Sequence, residues 1–469
     1  MAGNSAADGD ASREIAPWLF ERMAQTESSV ALVWNNERTT YGALARRVHD
    51  WERELTELRI GAGAVVAIEG SFSPTAVSLL LALIRRRAIA VPLTVATRPQ
   101  RDIHESVAEI QATFTIDDAD QWTVAKHERT VANPLTSRLI ARDNPGLVIF
   151  SSGSSGAPKA VLHDAAALLN KFRAPGTAKS TLTFLLFDHI GGMDTLFNAL
   201  ANGGTLVTVP VRDPDTVCRA IADHHVHTLP ASPTFLNLLL ISGAWRDHDL
   251  SSLKTIAYGT ESMPAATLAR LQEAFPGIRL AQTYGLSELG VLRTKSKESG
   301  SLWVKFTGEG YETSIRDGIL WVRTAAAMMG YLNAPDLFDD EGWLNTEDAV
   351  EVDGDYLRIL GRVSDLVNVG GRKIYPAEVE NVIMQMENVR DVAVTGEPSA
   401  LTGQLLVARV NLVEPEAFDA FKKRLRVFCR ERLPAYKIPA KIELTDADQF
   451  GARMKKMRRA GALDADAGK

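Results

Sequence analysis

The segment Phe150-Ser-Ser-Gly-Ser-Ser-Gly-Ala-Pro-Lys159 decides the fold prediction for this chain. It extends the apolar run Leu147-Val-Ile, which has the pattern of a buried strand. Small residues after a strand let backbone N–H groups converge on an anion, serine hydroxyls add donors, and a lysine adds charge. A Walker A loop does not fit, because Ala160 follows the lysine where that loop has Ser or Thr. We predict a phosphate-binding loop made of Ser151, Ser152, Gly153, Ser154, Ser155, Gly156 and Lys159.

Outside this loop, residues 28–290 alternate short apolar runs with helical patterns, which predicts parallel sheets covered by helices. The longest apolar stretch, Ala76–Ile84, is far too short to span a membrane and predicts a buried helix. Between residues 300 and 360 the pattern changes to hairpins, with Asp317-Gly318 as a strong turn signal. This indicates a small β-barrel-like subdomain.

A second unit begins after Gly361-Arg362, where helix and strand patterns alternate again to about residue 445. The expected fold class is therefore α/β, with a large N-terminal domain at 1–361 and a small α+β C-terminal domain at 362–469. We place the boundary near Arg362 to Asp365.

Composition excludes several classes of protein. The chain has 469 residues with 52 basic and 58 acidic side chains, and its net charge of −6 argues against general binding to nucleic acid or membrane surfaces. Cys218 and Cys429 lack CxxC spacing, so we expect two buried free thiols and neither a disulfide framework nor a zinc site. The polar N-terminus does not have the pattern of a signal peptide, and we expect a cytoplasmic protein.

Together with the motifs below, the loop at 150–159 resembles the adenylate-forming superfamily, which contains acyl- and aryl-CoA synthetases, adenylation domains of peptide synthetases and luciferases. The resemblance covers nearly the whole chain, and its motifs occur in the family's order. It implies ATP and Mg²⁺ as cofactors, with CoA as a candidate cosubstrate. It also implies a C-terminal domain that moves about a hinge between two half-reactions.

The segment Gln282-Thr-Tyr-Gly-Leu-Ser-Glu288 resembles the family's Tyr-Gly-x-Thr-Glu motif, with serine in place of threonine. The resemblance implies that Glu288 binds Mg²⁺, which prefers carboxylate oxygen. Ser287 would donate to a phosphate and Tyr284 would lie against the adenine. Read alone, Ser-Glu is equally a helix cap.

Two more motifs concern the nucleoside. Ala257-Tyr-Gly-Thr-Glu-Ser-Met-Pro264 resembles the adenine-side loop. Trp343-Leu-Asn-Thr-Glu-Asp348 resembles Trp-x-x-Thr-Gly-Asp, whose aspartate accepts hydrogen bonds from the ribose, although Glu347 stands where the family has glycine. The residues implied at the nucleotide are Gly259, Thr260, Glu261, Asp348 and Arg362.

The remaining motifs lie after the domain boundary. Gly361-Arg-Val-Ser-Asp365 matches the family's hinge motif, with Asp365 as the pivot. Near the C-terminus the family has a catalytic lysine in a Gly-Lys-x-x-Arg context, and counting back from Arg458 selects Lys455. Such a lysine would stabilise charge in an in-line displacement. Lys456 is the neighbouring alternative.

The residues of the acceptor pocket are harder to predict from the sequence than those of the nucleotide site. Phe187-Asp-His-Ile-Gly-Gly192 aligns with the family segment whose His or aromatic residue gates substrate entry, so His189 is the candidate gate. Asp188 has two open interpretations, contact with a substrate amine or hydroxyl and a structural hydrogen bond. The candidate substrate-binding residues are Asp188, His189, Gly192, Tyr258 and Gly285.

A basic amphipathic helix is expected at about 416–432. Its apolar side chains predict a core stripe, and its basic ones are either a solvated face or a docking patch for CoA phosphates or an acidic carrier protein.

We expect ATP-dependent activation of a small acyl or aryl acid as an adenylate, with release of pyrophosphate and transfer to a thiol of CoA or a carrier protein. Two alternatives stay open. One is activation of nitrite and diazotisation of an amino-aryl acid, as in some resembling enzymes. The other is a nonenzymatic nucleotide-binding relative, because the motifs at Glu347, Asn368 and the C-terminus depart from the common pattern.

Overall fold

The computed structural model describes residues 14–152, 158–451 and 453–457, without the side chain of Ser152. Gly153, Ser154, Ser155 and Gly156 of the predicted phosphate loop lie outside the described residues. The described part contains these α-helices: α1 Pro17–Gln25, α2 Tyr41–Glu57, α3 Pro74–Arg85, α4 Arg101–Val107, α5 Pro134–Ala141, α6 Ala165–Asn170, α7 Ile190–Ala201, α8 Pro214–Asp223, α9 Pro233–Ser242, α10 Ala265–Ala274, α11 Pro376–Ile383 and α12 Phe418–Arg430.

Several helices begin in the same way, with a polar cap followed by proline. Ser73, Asp213 and Ser232 each accept a hydrogen bond from a backbone N–H in the first turn, and proline occupies the next position. Proline suits this place because its missing N–H would have no partner within the helix. All residues of α3 from Pro74 to Ile84 are buried, which confirms the predicted buried helix.

The strands of the first part of the chain are β1 Val30–Trp34, β2 Glu37–Thr40, β3 Val65–Glu69, β4 Ile89–Leu93, β5 Ala112–Ile116, β6 Trp122–Lys126, β7 Gly146–Ser152, β8 Pro158–Asp164, β9 Ser180–Leu182, β10 Thr205–Val207, β11 Thr228–Ala231, β12 Thr255–Tyr258 and β13 Arg279–Gln282. The others are β14 Tyr284–Leu286, β15 Gly290–Leu292, β16 Thr294–Ser296, β17 Val304–Phe306, β18 Tyr311–Arg316, β19 Ile319–Thr324, β20 Gly330–Tyr331, β21 Leu344–Asp353, β22 Tyr356–Arg362, β23 Val367–Val369, β24 Arg372–Ile374, β25 Val389–Ser399, β26 Gly403–Leu412 and β27 Lys441–Leu444.

Two seven-stranded sheets form the large part of the protein, in the orders β13-β12-β11-β9-β10-β1-β2 and β20-β8-β7-β4-β3-β5-β6. Pairing is parallel through the first sheet except at β1–β2, and parallel across β7, β4, β3 and β5 in the second. The α/β fold class is confirmed. The strands that carry the site, β7, β12 and β13, all reach it at their carboxyl ends, where α/β proteins bind ligands.

The β-rich segment forms a six-stranded antiparallel sheet in the order β16-β17-β22-β21-β19-β18. This sheet corresponds to the β-rich subdomain that the sequence predicts between residues 300 and 360. The predicted hairpin turn is present, with Asp317 at φ 51° and Gly318 at φ 75°. Two successive positive φ values match the right-handed twist of the paired strands β18 and β19.

The last sheet contains β23 to β27 and packs with α11 and α12. Its buried apolar residues form a cluster of their own that runs from Val367 to Ile442. In α12, Phe421, Leu425 and Cys429 enter this cluster, as the core-stripe interpretation predicts. The boundary near Arg362 to Asp365 stays a prediction, and a single 3₁₀ turn spans Val363–Asp365.

Cys218 and Cys429 are buried free thiols, as expected. Among the described residues, we find no helix whose length and apolar character would let it cross a lipid bilayer.

Candidate active site

Two large cavities share a wall at the junction of the sheets. The first cavity, of about 580 Å³, lies beside Tyr284, Asp348 and Arg362. The second cavity, of about 570 Å³, lies beside Lys159 and Glu288. Both are lined by Thr260, Gly285, Leu286, Arg362, Asp365, Lys455 and Lys456. Most residues that the sequence motifs single out therefore meet in one place.

Tyr284 and Asp348 are buried beside the first cavity, and the more exposed Arg362 lies next to them. The Tyr284 hydroxyl donates to Asp348 Oδ2 at 2.6 Å, and Arg362 Nε lies 3.5 Å from Asp348 Oδ1. Burial raises the pKa of the Asp348 carboxyl, while Arg362 and the Tyr284 hydrogen bond oppose this shift. The sequence predicts that Tyr284 lies against an adenine, and the structure adds that its hydroxyl holds the predicted ribose carboxylate.

Glu347 and Thr260, which line the second cavity, have left-handed backbone although neither is a glycine. Glu347 has φ 58°, at the position where the resembling family has glycine. Its N–H donates to Asn345 Oδ1 at 2.9 Å, so an Asx-type turn supports the conformation. Thr260 has φ 73°, which is uncommon for a β-branched residue, and its buried Oγ1 has no hydrogen-bond partner among the described residues. Such strain is concentrated at functional sites.

The loop after β12 contacts the C-terminal segment. Glu261 Oε1 accepts from the Thr234 N–H at 2.8 Å, and Glu261 Oε2 accepts from the Lys456 N–H at 3.0 Å. Gly259 is needed for close approach, because a Cβ there would lie 2.4 Å from Thr283 Oγ1. Glu261 therefore joins the α9 N-terminus to residues 455–456.

Lys159, Glu288 and Tyr331 come together on the second cavity. The Tyr331 hydroxyl donates to Glu288 Oε1 at 2.6 Å, and Lys159 Nζ lies 5.2 Å from the centre of the Tyr331 ring. Ser151 lines the same cavity. Burial and the neighbouring Glu288 raise the pKa of the Tyr331 hydroxyl, so it remains a donor. Sequence reasoning missed Tyr331, which lies in an apolar stretch without a motif of its own.

Ser287 also lines the second cavity, and a buried histidine holds its backbone. His163 Nε2 lies 2.6 Å from the Ser287 carbonyl oxygen, to which it donates. Burial lowers the pKa of His163 to about 4, so the ring is neutral near pH 7. His163 thus fixes the turn that carries Ser287 and Glu288.

The adjacent lysines of the C-terminal segment have different surroundings. Lys455 lines both large cavities, and burial lowers the pKa of its amine to about 8 while Glu261 opposes the shift. Lys456 points its Nζ at the Val392 carbonyl oxygen, 2.7 Å away, and at Asp391 Oδ1, 2.9 Å away. The geometry favours Lys455 over Lys456 as the lysine that acts in the cavities.

A third, much smaller cavity of about 10 Å³ adjoins the others. His189 lines it and caps α7 by accepting from the Gly191 N–H at 3.0 Å. Burial, together with Lys455 and Arg453, keeps the pKa of His189 well below its ordinary value. The ring is therefore neutral, and its position fits the predicted gate.

Asp188 faces the C-terminal segment. Its Oδ2 lies 3.0 Å from Arg453 Nη2, and its residue exposure is only 2%. The substrate amine considered for Asp188 would have to displace this arginine. Sequence reasoning missed Arg453, because a basic residue in a basic tail gives no signal of a buried partner.

The three other predicted substrate-binding residues are Gly285, Gly192 and Tyr258, and only the first lines the large cavities. Gly285 lines both large cavities. Gly192 is buried in α7, where a Cβ would lie 2.1 Å from the Leu186 carbonyl oxygen, so close backbone packing requires glycine there. Tyr258 is fully buried in the core, with its hydroxyl 3.3 Å from the Ser301 carbonyl oxygen. Unlike Gly285, these two residues are not among those that line the described cavities.

Oxygen donors at the second cavity suit a Mg²⁺ that arrives with a nucleotide. Mg²⁺ usually keeps several waters and binds one or two carboxylates plus substrate phosphates. Glu288 supplies such a carboxylate, and Lys159 on the same cavity supplies charge for the phosphates. The residues present therefore fit the cation that the resemblance implies.

The chain is similar to known proteins along most of its length. Residues 19–332 match a family model described as AMP-binding enzyme, and residues 378–450 match one described as AMP-binding enzyme C-terminal domain. A feruloyl-CoA synthase of Amycolatopsis is 26% identical, over 92% of this chain and 95% of that protein. A 2-succinylbenzoate–CoA ligase of Bacillus cytotoxicus is 27% identical, over 94% of this chain and 97% of that protein. The crystal structure of an anthranilate CoA ligase with anthranoyl-AMP has a TM-score of 0.83 at 20% identity and covers 97% of both chains, which supports the fold.

Proposed function

This chain belongs to the AMP-binding enzyme family, and from that premise we propose that it joins a small carboxylic acid to AMP and then to a thiol of CoA. As a member it is an AMP-forming ligase. The identity of the acid, the use of CoA and the residue roles below are parts of the proposal.

One observation supports this proposed function most directly. Lys455 lies where the cavity beside Asp348 meets the cavity beside Lys159 and Glu288. A nucleoside in the first cavity and a triphosphate in the second would put the α-phosphate at their junction, next to this lysine. In-line displacement at phosphorus depends mainly on positioning and on charge stabilisation.

The first cavity is assigned to the nucleoside. Asp348 accepts hydrogen bonds from the ribose hydroxyls, Arg362 lies beside it, and the Tyr284 ring lies against the adenine. The second cavity is assigned to the triphosphate, with Lys159 and Ser287 as donors and Glu288 as the residue that would hold Mg²⁺. When bound, Mg²⁺ neutralises phosphate charge.

In the first half-reaction, a carboxylate oxygen of the acid attacks the α-phosphorus of ATP. A new oxygen–phosphorus bond forms, the α–β phosphoanhydride bond breaks, and pyrophosphate leaves with the bonding electrons. Lys455 stabilises the charge shared by the attacking carboxylate and the α-phosphate. Glu261 holds the Lys456 N–H and so positions the lysine beside it.

In the second half-reaction, the thiolate sulfur of CoA attacks the acyl carbon, and AMP leaves as a stable phosphate monoester. Arg453, Lys455, Lys456 and Met457 line the second cavity in the present arrangement, and this segment would have to withdraw. We assign this movement to rotation near Asp365, in the short 3₁₀ turn at Val363–Asp365.

Product analysis tests the whole reaction. With ATP, Mg²⁺, CoA and a panel of acids, at least one acid should give AMP and an acyl-CoA in equal amounts. AMP formation that requires nitrite and an amino-aryl acid, and no thiol, would favour diazotisation instead. ATP binding without AMP under every condition would mean a nonenzymatic relative.

A further inference from the structure

Strand β25 is an edge of the C-terminal sheet, because in the described part of the chain it pairs with β26 and with no other strand. An edge strand presents backbone N–H and C=O groups that have no partner within the sheet. Such groups need other partners where water is excluded, since an unpaired buried group is costly. The groups that meet the β25 edge therefore show which parts of the molecule the C-terminal sheet contacts.

Two carbonyl groups at the start of this edge accept hydrogen bonds from side chains. The Arg390 carbonyl accepts from Asn237 Nδ2 at 2.9 Å, and the Val392 carbonyl accepts from Lys456 Nζ at 2.7 Å. The register of β25 against β26 shifts between Val389 and Asp391, so Arg390 is the extra residue of a bulge and has no partner residue on β26. Asn237, a buried residue of α9, supplies the partner that the sheet does not.

Lys456 is held to β25 by charge as well. Its Nζ lies 2.9 Å from Asp391 Oδ1, and only 9% of the Lys456 side chain and 16% of the Asp391 side chain are exposed. Burial lowers the pKa of the Lys456 amine, but Asp391 and Glu380 outweigh this effect and raise the pKa overall. The amine is therefore a cation whose loss would leave a largely buried carboxylate without its partner.

The backbone of Lys456 is held by a different part of the molecule. Its N–H donates to Glu261 Oε2 at 3.0 Å, and Glu261 Oε1 accepts from the Thr234 N–H in the first turn of α9. One residue is thus fixed at its side chain by the C-terminal sheet and at its backbone by the large part of the protein. Its neighbour Lys455 lines both large cavities.

We call the Asn237–Arg390 hydrogen bond and the contacts of Lys456 Nζ with Val392 and Asp391 the edge contacts. Resting on the proposed function, we propose that Asn237 and Lys456 are positioning residues for adenylation. Lys456 ties residues 453–457 to β25, and Asn237 seats β25 on α9, so that Lys455 stays at the junction of the two large cavities.

The two half-reactions should depend differently on the edge contacts. The rotation assigned to the second half-reaction would move β25 away from α9 and break the Asn237–Arg390 hydrogen bond. Lys455 has by then left the cavities, so its position no longer affects the rate. Loss of an edge contact should therefore slow acyl-AMP formation and spare thioester formation, whereas a general loss of structure would slow both.

Separate assays of the full chain measure the two steps. Single-turnover acyl-AMP formation uses ATP, Mg²⁺ and an acid that the parent protein activates, and thioester formation starts from the synthetic acyl-AMP and CoA. Lys456→Met keeps the length of the side chain without its charge. Asn237→Leu keeps the approximate size of the side chain without its amide, beside a cavity of about 30 Å³. Each variant should slow acyl-AMP formation about tenfold, as expected for loss of one hydrogen bond to a charged or buried group.

Two further variants serve as comparisons. Lys456→Arg keeps the charge beside Asp391 and should retain most of the rate of acyl-AMP formation. Lys441→Met removes an ion pair from β27 of the same sheet, where Lys441 Nζ lies 2.7 Å from Glu443 Oε1 and 49% of the lysine side chain is exposed. This control should carry out both steps as the parent does, because exposed ion pairs contribute little.

Amide hydrogen exchange tests the edge contacts without any substrate. The peptide that contains position 456 should exchange about tenfold faster in Lys456→Met and in Asn237→Leu than in the parent, because the segment leaves the cavities more often. Exchange in β26 should stay unchanged. If the parent activates no acid, the proposed function fails, and the exchange rates still decide whether the edge contacts hold the segment.

Unchanged acyl-AMP formation and unchanged exchange in both variants would overturn the inference. Equal losses in both half-reactions, with faster exchange throughout β26, would also overturn it, since they indicate a structural role alone. Slower adenylation in Lys456→Met but not in Asn237→Leu would give Lys456 a direct role in the chemistry and would contradict the positioning role. If Lys456→Met does not fold, Asn237→Leu decides the question by the same measurements.

Discussion

The Tyr284 hydroxyl lies 2.6 Å from Asp348 Oδ2, and both residues are buried at the wall of the first cavity. This hydrogen bond joins the first residue of β14 to strand β21, 64 residues further along the chain. The carboxylate is held in place before any nucleotide arrives. Preorganisation of this kind reduces the entropy lost on binding.

Tyr284→Phe should destabilise the protein and weaken ATP binding. The change leaves a buried carboxylate without its hydroxyl donor, which costs about 1–3 kcal/mol. Urea unfolding should show the loss, and the dissociation constant for ATP should rise. Tyr356→Phe, at a partly exposed position on β22, is the control. Unchanged stability and affinity in Tyr284→Phe would contradict the role given to this hydrogen bond.

Lys455→Ala should lower the rate of adenylate formation by about 10²–10³-fold, as for loss of one transition-state donor. The affinity for ATP should change little, because the lysine acts on the reacting charge. Single-turnover kinetics and equilibrium binding measure the two quantities separately. Lys456→Ala should have a smaller effect on the rate, since its amine faces Val392 and Asp391. A larger effect at Lys456 would show that the two lysines have been assigned in the wrong order.

The pH profile of adenylation should report the Lys455 amine. Its pKa is lowered to about 8 by burial, and the amine is a cation only below that value. The kcat/KM should therefore be level toward neutral pH and fall as pH rises through about 8, because this parameter reports the free enzyme. In Lys455→Arg the fall should move to higher pH. A profile that stays level beyond pH 10 in the parent would refute this assignment.

Glu347→Gly should stabilise the protein. Glu347 adopts φ 58°, which glycine accepts without strain, so we expect a gain of about 0.5–1 kcal/mol in the free energy of unfolding. Glu347→Ala is the control, because alanine retains the strain. Equal stability of the two variants would show that backbone strain at this position is not significant.

Local motifs predicted which residues meet at the two large cavities, because each motif combines a strand end with a turn that carries polar side chains. Tyr284, Asp348 and Glu288 could be placed in one site before their contacts were visible. The contacts of Arg453, Glu261 and Tyr331 could not be predicted, although Glu261 itself is among the residues implied at the nucleotide. Their functional partners lie 265, 195 and 43 residues away, and only tertiary packing brings them together.

For three predicted pocket residues, burial and contacts indicate a role that the residue type alone did not. Asp188 resembles a substrate ligand in sequence, yet its observed partner is an arginine from the opposite end of the chain. Tyr258 and Gly192 belong to the right segments, but the first is a core side chain and the second a packing glycine. At Glu347 the sequence showed only that the usual glycine of the motif is absent. The structure was needed to show that the backbone there is still left-handed.

Acid-dependent exchange of labelled pyrophosphate into ATP tests the central claim most directly, since it requires reversible formation of the adenylate and no thiol. We predict exchange with at least one short acid in the presence of Mg²⁺, and its loss in Lys455→Ala. Absence of exchange across a broad panel of acids, in protein that is folded and binds ATP, would contradict the account.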